Sequence, residues 1–122
     1  MPATGPFAKT ELFFEKDVQQ YPYDLDKARA LIKESGVDVG ARPVKLLNMA
    51  LGGNYDRLLE YTKQMLEQIG FRVEIEASDG GTWASKVSNW DYDITFNLPY
   101  QYGDPALGVE RLYVTRNISK GS

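Results

Sequence analysis

Apolar residues recur along this chain at two spacings, and each change of spacing marks an element. In YPYDLDKARALIKESGV, Leu25, Ala28, Leu31 and Ile32 fall on one helical face. Asp24 stands where an N-cap belongs, and Asp26 adds favourable negative charge to the first turn. Gly36 stops the helix, with Val37 placed to pack back on it as in a Schellman ending. RPVKLLNMAL then carries apolar residues on both faces, which predicts a strand over Val44–Met49 covered on both sides. Gly52-Gly53 turns the chain, and Asn54 is the expected cap of the next helix. That helix, YDRLLEYTKQMLEQIGF, keeps the longest helical pattern through Tyr55, Leu58, Leu59, Thr62, Met65, Leu66 and Ile69. Gly70 and Phe71 repeat the glycine-plus-apolar ending.

FRVEIEA alternates: Phe71, Val73, Ile75 and Ala77 point one way, Arg72, Glu74 and Glu76 the other. One wet face predicts a strand near the edge of its sheet. After the turn SDGG, Thr82 is the expected cap of a short helix whose Trp83, Val87 and Trp90 share a side. Asp93–Leu98 predicts a third strand with Ile94, Phe96 and Leu98 inward. A last helix is expected over Ala106–Tyr113, with Asp104 as cap and Pro105 at its first position. Residues 1–20 read as an irregular arm, 21–116 as an α/β body and 117–122 as a loose tail. Helical crossovers between strands make the strands parallel and the connections right-handed. The fold class is therefore α/β, a three-layer open sheet. Strand order 2-1-3 puts the half-wet second strand outermost and leaves an edge of the third open.

At 122 residues, one domain with a real core is the natural size reading. A net charge of −3 argues against a nucleic-acid partner. The chain has no cysteine, which excludes disulfides and thiolate metal sites. It has no histidine, which removes the commonest general base and metal ligand. MPATGPFAKT lacks the basic and apolar regions of a signal peptide.

Five features are candidates for chemistry. Gly52-Gly53 sits between strand and helix, where phosphate loops lie, but without G-x-G-x-x-G or a P-loop lysine it reads as a tight turn. Asp91 and Asp93 could bind a cation or share a proton, but no calcium-loop pattern continues from them, and a solvated helix-to-strand turn or a cap is the better reading. Glu74 and Glu76 read as surface charge, and Asn117-Ile118-Ser119 is a glycosylation triplet common by chance. The stretch NLPYQYGDP is more specific. Tyr100, Gln101 and Tyr102 follow the carboxyl end of a parallel strand, where ligands of open α/β sheets bind. Tyrosine brings flat apolar area and a polar tip, suited either to a ligand or to packing under the loop.

Taken in order, YPYDLDKARALIKESGV, YTKQMLEQIGFRVEI, TWASKV, DYDITF and GDPALGVERLY resemble the second lobe of family 5 extracellular solute-binding proteins. The resemblance runs from about Tyr21 to Ile118 and lies in the joint order and spacing of these motifs. It implies a fragment of a type II periplasmic-binding-protein lobe, in a longer protein whose two lobes close on a solute by hinge motion. It implies reversible capture of a peptide-like solute, opine, sugar or metal complex for import through an ABC transporter permease. It implies no catalysis, no cofactor and no resident metal, and a setting in the periplasm or on the outer face of the membrane.

The resemblance also implies site residues. In peptide-binding relatives an aspartate three residues before the acidic-Pro pair holds the solute's terminal amine; counting back from Asp104-Pro105 reaches Gln101, which is neutral. A tryptophan opening the short helix lines a pocket in those relatives, and Trp83 matches it. Trp83, Asn97, Tyr100, Gln101 and Tyr102 are thus the expected solute contacts. Rival readings are a free-standing flavodoxin-like module, a carboxylate-based enzyme using Asp91 or Asp93, and a module that pairs into a homodimer through its exposed strand.

Overall fold

The computed structural model describes residues 16–97 and 118–120. These fall into two units: residues 24–97 with Lys120 form one, and residues 16–23 with 118–119 belong to the other. The first unit holds three helices and three strands: α1 (Leu25–Ser35), β1 (Pro43–Met49), α2 (Asn54–Gln68), β2 (Arg72–Ser78), α3 (Gly80–Ser88) and β3 (Ile94–Thr95). In the second unit the Gln20 side-chain amide donates to the Val18 carbonyl at 2.7 Å.

The sheet is parallel with order β2-β1-β3, as the alternation in β2 predicted. Val44 pairs with Val73 and Leu46 with Ile75, while Leu46 and Leu47 pair with Ile94 and Thr95 on the other side. The chain steps from β1 out to β2, then back across β1 to β3. Crossovers of one hand that reverse direction along a sheet must place their helices on opposite faces. That is the arrangement found. Leu59 of α2 packs with Leu46 and Val73 on one face, joined by Val44, Leu66, Phe71, Ile75, Ile94 and Phe96. On the other face α3 meets the sheet through Trp83 at Thr95 and Lys86 at Glu76. Both Leu46 and Leu47 are consequently buried although they point in opposite directions.

Local chemistry explains most element ends. The Asp24 carboxylate accepts from the Lys27 amide at 2.9 Å, capping α1. Gly36 ends α1 at φ 68°, and nothing lies within 4 Å of a Cβ built there. Gly36→Ala therefore meets backbone strain alone and is expected to cost about 1 kcal/mol. A urea midpoint unchanged from the parent chain would contradict this. At the end of α2, Gly70 takes φ 100° and the Phe71 amide reaches back to the Leu66 carbonyl at 3.1 Å.

Several expectations need correction. Asn54 is the first residue of α2 rather than its cap; Gly53, at φ 56°, holds that position without a side-chain bond. Asp79, not Thr82, caps α3, because β2 runs on to Ser78 and the helix can start at once. Thr82 instead donates its hydroxyl to the Asp79 carboxylate at 2.9 Å. Leu31 and Leu58 are exposed members of their stripes, and Val37 is 62 % exposed rather than packed back on α1. Trp90 lies beyond the end of α3 at φ 60° and is 52 % exposed, so it does not share the face of Trp83. The third strand is shorter than expected, although Ile94 and Phe96 do face the core. The expected helix over Ala106–Tyr113 lies outside the described residues.

Candidate functional site

Parallel strands bring all carboxyl ends to one edge of the sheet. At that edge the Ser78 hydroxyl donates to the Asn48 carbonyl at 3.2 Å, and the Ala50 amide donates to the Ser78 carbonyl at 3.1 Å. Asn48, the one polar residue buried among the described residues, donates its amide to Asp56 in the first turn of α2 at 2.9 Å. This fixes the amino end of α2 beside the end of β1. Gly52 and Gly53, both at positive φ, make the tight turn between them.

α2 and α3 lie on opposite faces, so β1 and β3 meet at a seam where the winding of the sheet reverses, and ligands of open α/β sheets bind outside the carboxyl ends at such a point. Trp83 sits across this seam. It is half-buried, and its indole N–H donates to the Thr95 hydroxyl at 2.9 Å. That hydroxyl donates in turn to the Leu47 carbonyl at 2.9 Å. One side chain from α3 is thereby tied to β3 and, through it, to β1. Asp79 caps α3 at the same edge, accepting from the Gly81 and Thr82 amides. The bonds from Thr82, then that from Gly81, hold its carboxyl below the usual carboxylate range.

Among the expected contact residues, Trp83 is thus placed at the seam, and Asn97 is exposed two residues past β3. Tyr100, Gln101 and Tyr102 lie outside the described residues. Thr95 was not singled out from the sequence. Its signal was present: it alternates with the inward Ile94 and Phe96, so a polar β-branched side chain had to lie on the face that α3 covers.

A chain of charge contacts runs from the amino edge of the sheet along the face that α3 covers. Arg42 grips Asp93 with two guanidinium bonds at 2.8 and 3.0 Å. The same carboxylate accepts the Lys45 amide at 2.8 Å, while the Asp93 amide donates to the Lys45 carbonyl at 3.1 Å. Asp93 thus completes the β1–β3 pairing one step before β3 begins. Lys45 and Lys86 both bind Asp91, and Lys86 also binds Glu76 at 2.8 Å. Hydrogen bonds from Lys45 and Lys86 lower the Asp91 carboxyl to about 2; those from Arg42 and the Lys45 amide lower Asp93 to about 2.

Carboxylates so paired do not share a proton, and each is matched to cations rather than to the other. The described residues contain no group of three or more side chains able to hold a metal ion. Asp91 and Asp93 lie in the partly exposed turn between α3 and β3, as expected, and there they anchor an ion-pair network that Glu76 joins. Arg42 and Lys45 were missed because their partners are 51 and 46 residues away in sequence, and Lys86 because its two partners lie on different elements.

Comparison with known proteins bears on this site. The di/tripeptide-binding protein 2 of Pseudomonas aeruginosa is 30 % identical over 111 residues, covering 85 % of this chain and 20 % of that protein. The glutathione-binding protein GsiB of Salmonella typhimurium is 35 % identical over 86 residues, and that of Escherichia coli K12 31 %, each covering 70 % of this chain and 16 % of the relative. The chain thus spans a fifth or less of the length of these relatives. The family model described as bacterial extracellular solute-binding proteins, family 5 Middle, matches residues 1–120. With that match across nearly its whole length, the chain belongs to the family 5 bacterial extracellular solute-binding proteins.

Proposed function

We propose that this chain forms one wall of a solute-binding cleft in a longer protein, which captures a small solute outside the cytoplasmic membrane and delivers it to an ABC transporter permease. Family membership supports the class. Within the chain, the observation that carries the reading is Trp83, held across the β1–β3 seam at the carboxyl edge of the sheet. A large flat ring fixed at such a seam is a ready apolar wall for a ligand.

The relatives' names favour a short peptide, since glutathione is itself a γ-linked tripeptide. Trp83, Asn97, Tyr100, Gln101 and Tyr102 are assigned the contacts. Gln101 is neutral, so it holds an ammonium less strongly than a carboxylate would. The solute's amine is therefore not the main anchor at this place. Capture is reversible and makes or breaks no bond in the solute. The remaining lobe of the parent supplies the other wall and excludes water, so this chain alone binds weakly.

The test is titration of the ¹⁵N-labelled chain with dialanine and with reduced glutathione. At millimolar solute, at least one of them should move the Trp83 indole and Asn97 side-chain resonances. Shifts confined to the edge carrying Asp91 and Asp93, or no shifts with either solute, would overturn the reading.

A further inference from the structure

We infer that Thr95 is a positioning residue for solute binding, acting through Trp83. The inference rests on the solute-binding reading above and adds the residue that sets the angle of the aromatic wall.

Thr95 occupies a narrow chemical role. Its hydroxyl proton is committed to the Leu47 carbonyl at 2.9 Å. Its oxygen is therefore turned, lone pair outward, to receive the Trp83 indole N–H at 2.9 Å. The order of the two bonds matters. Leu47 is 1 % exposed, in the central strand, and is paired in register with Thr95. The acceptor that orients the hydroxyl is thus held in the buried central strand, paired on both sides. A β-branched side chain on a strand also has few rotamers. The relay passes that constraint from β1, through Thr95, to a ring on a different element.

Without it, the ring would be free to swing. Trp83 lies near the amino end of α3, a nine-residue helix with no fully buried side chain. Trp83 is only partly buried, so packing alone does not enclose it. A single hydrogen bond at the polar tip then decides which ring face looks across the seam. Pre-setting that orientation removes an ordering cost at the moment of binding. Valine is isosteric with threonine but cannot accept the bond; serine can, though with less rotamer restriction.

Three measurements on the full chain test this. The first is the hydrogen-exchange rate of the Trp83 indole, read against Trp90, the other tryptophan of the sequence. Thr95→Val should speed exchange at Trp83 and leave Trp90 unchanged, while Thr95→Ser should restore protection. The second is the same glutathione and dialanine titration. Thr95→Val should weaken binding about tenfold, the scale of one lost hydrogen bond, and Thr95→Ser should recover most of it. The third is a double-mutant cycle in which Thr95→Val has no further effect once Trp83→Phe has removed the donor.

Parent-like affinity in Thr95→Val, or an equal loss in the Trp83→Phe background, would overturn the inference and leave the solute-binding reading standing. If neither solute binds the unsubstituted chain, the solute-binding reading fails and this inference fails with it. Should Thr95→Val not fold, the comparison of Thr95→Ser with Trp83→Phe decides, and equal losses in the two would count against positioning.

Discussion

Leu46→Ala is expected to destabilise the chain by about 2–5 kcal/mol, the range for emptying a buried leucine site. Leu46 is fully buried in the middle strand, packed with Leu59 and Val73 and flanked by Ile75 and Ile94 in register. The residues around it come from both neighbouring strands and from α2. Collapse into the space left would need all of them to move, so the cavity term stays large. Domains of this size hold only about 5–15 kcal/mol in total, so a loss at the upper end approaches global unfolding. Leu58→Ala is the control: Leu58 is exposed on the same helix as Leu59, and its truncation should change stability by less than about 0.5 kcal/mol. Equal urea midpoints for the two variants would show that the core does not lie where the structure places it.

Asp93→Ala is expected to cost about 2 kcal/mol, and the larger share should come from the backbone. Arg42 is 72 % exposed, and a solvated pair of that kind contributes at most about 1 kcal/mol. The Lys45 amide is different. It lies inside the central strand, where the Asp93 carboxylate takes the place of a β3 carbonyl as its partner. Arg42→Ala should therefore cost clearly less than Asp93→Ala. The reverse order would mean that the ion pair, not the completed ladder, is what Asp93 contributes.

The same network sets an acid limb. Asp91 and Asp93 each titrate at about 2 in the folded chain, below the ordinary 3.8. Between those values the unfolded chain binds more protons, so stability falls as pH falls. The contribution is complete above about pH 4 and is lost as pH drops through about 2. Asp91→Asn and Asp93→Asn should each flatten that limb in thermal melts between those pH values. A limb unchanged in both variants would place the acid sensitivity elsewhere.

What could be read along the chain was whatever depends on near neighbours. Asp24 and Gly36 bound α1 because a cap and a left-handed stop act over three or four residues. The alternation of β2 was enough to put it at the sheet edge, and the two-sided run of β1 was enough to put it in the centre. Parallel order followed from helix-length crossovers. The family was legible for the same reason: its motifs are local, and only their order is long-range.

Where local chemistry offered two competent answers, the tertiary structure chose. Asp79 and Thr82 can both cap a helix, and the length of β2 decided between them. Leu31 and Leu58 fit their apolar stripes, yet which part of a stripe is covered depends on what packs against it. The ion pairs joining Arg42 to Asp93 and Lys45 to Asp91 span 51 and 46 residues, and the Trp83–Thr95 bond joins a helix to a strand. Hydrogen bonds of this kind leave no periodic trace, because they depend on where the sheet register brings two side chains together. By itself the sequence determined the family and, among the described residues, the helices and strands and their order. The sheet register and the crossing of α3 decided which side chains meet at each edge, and so what each edge can do.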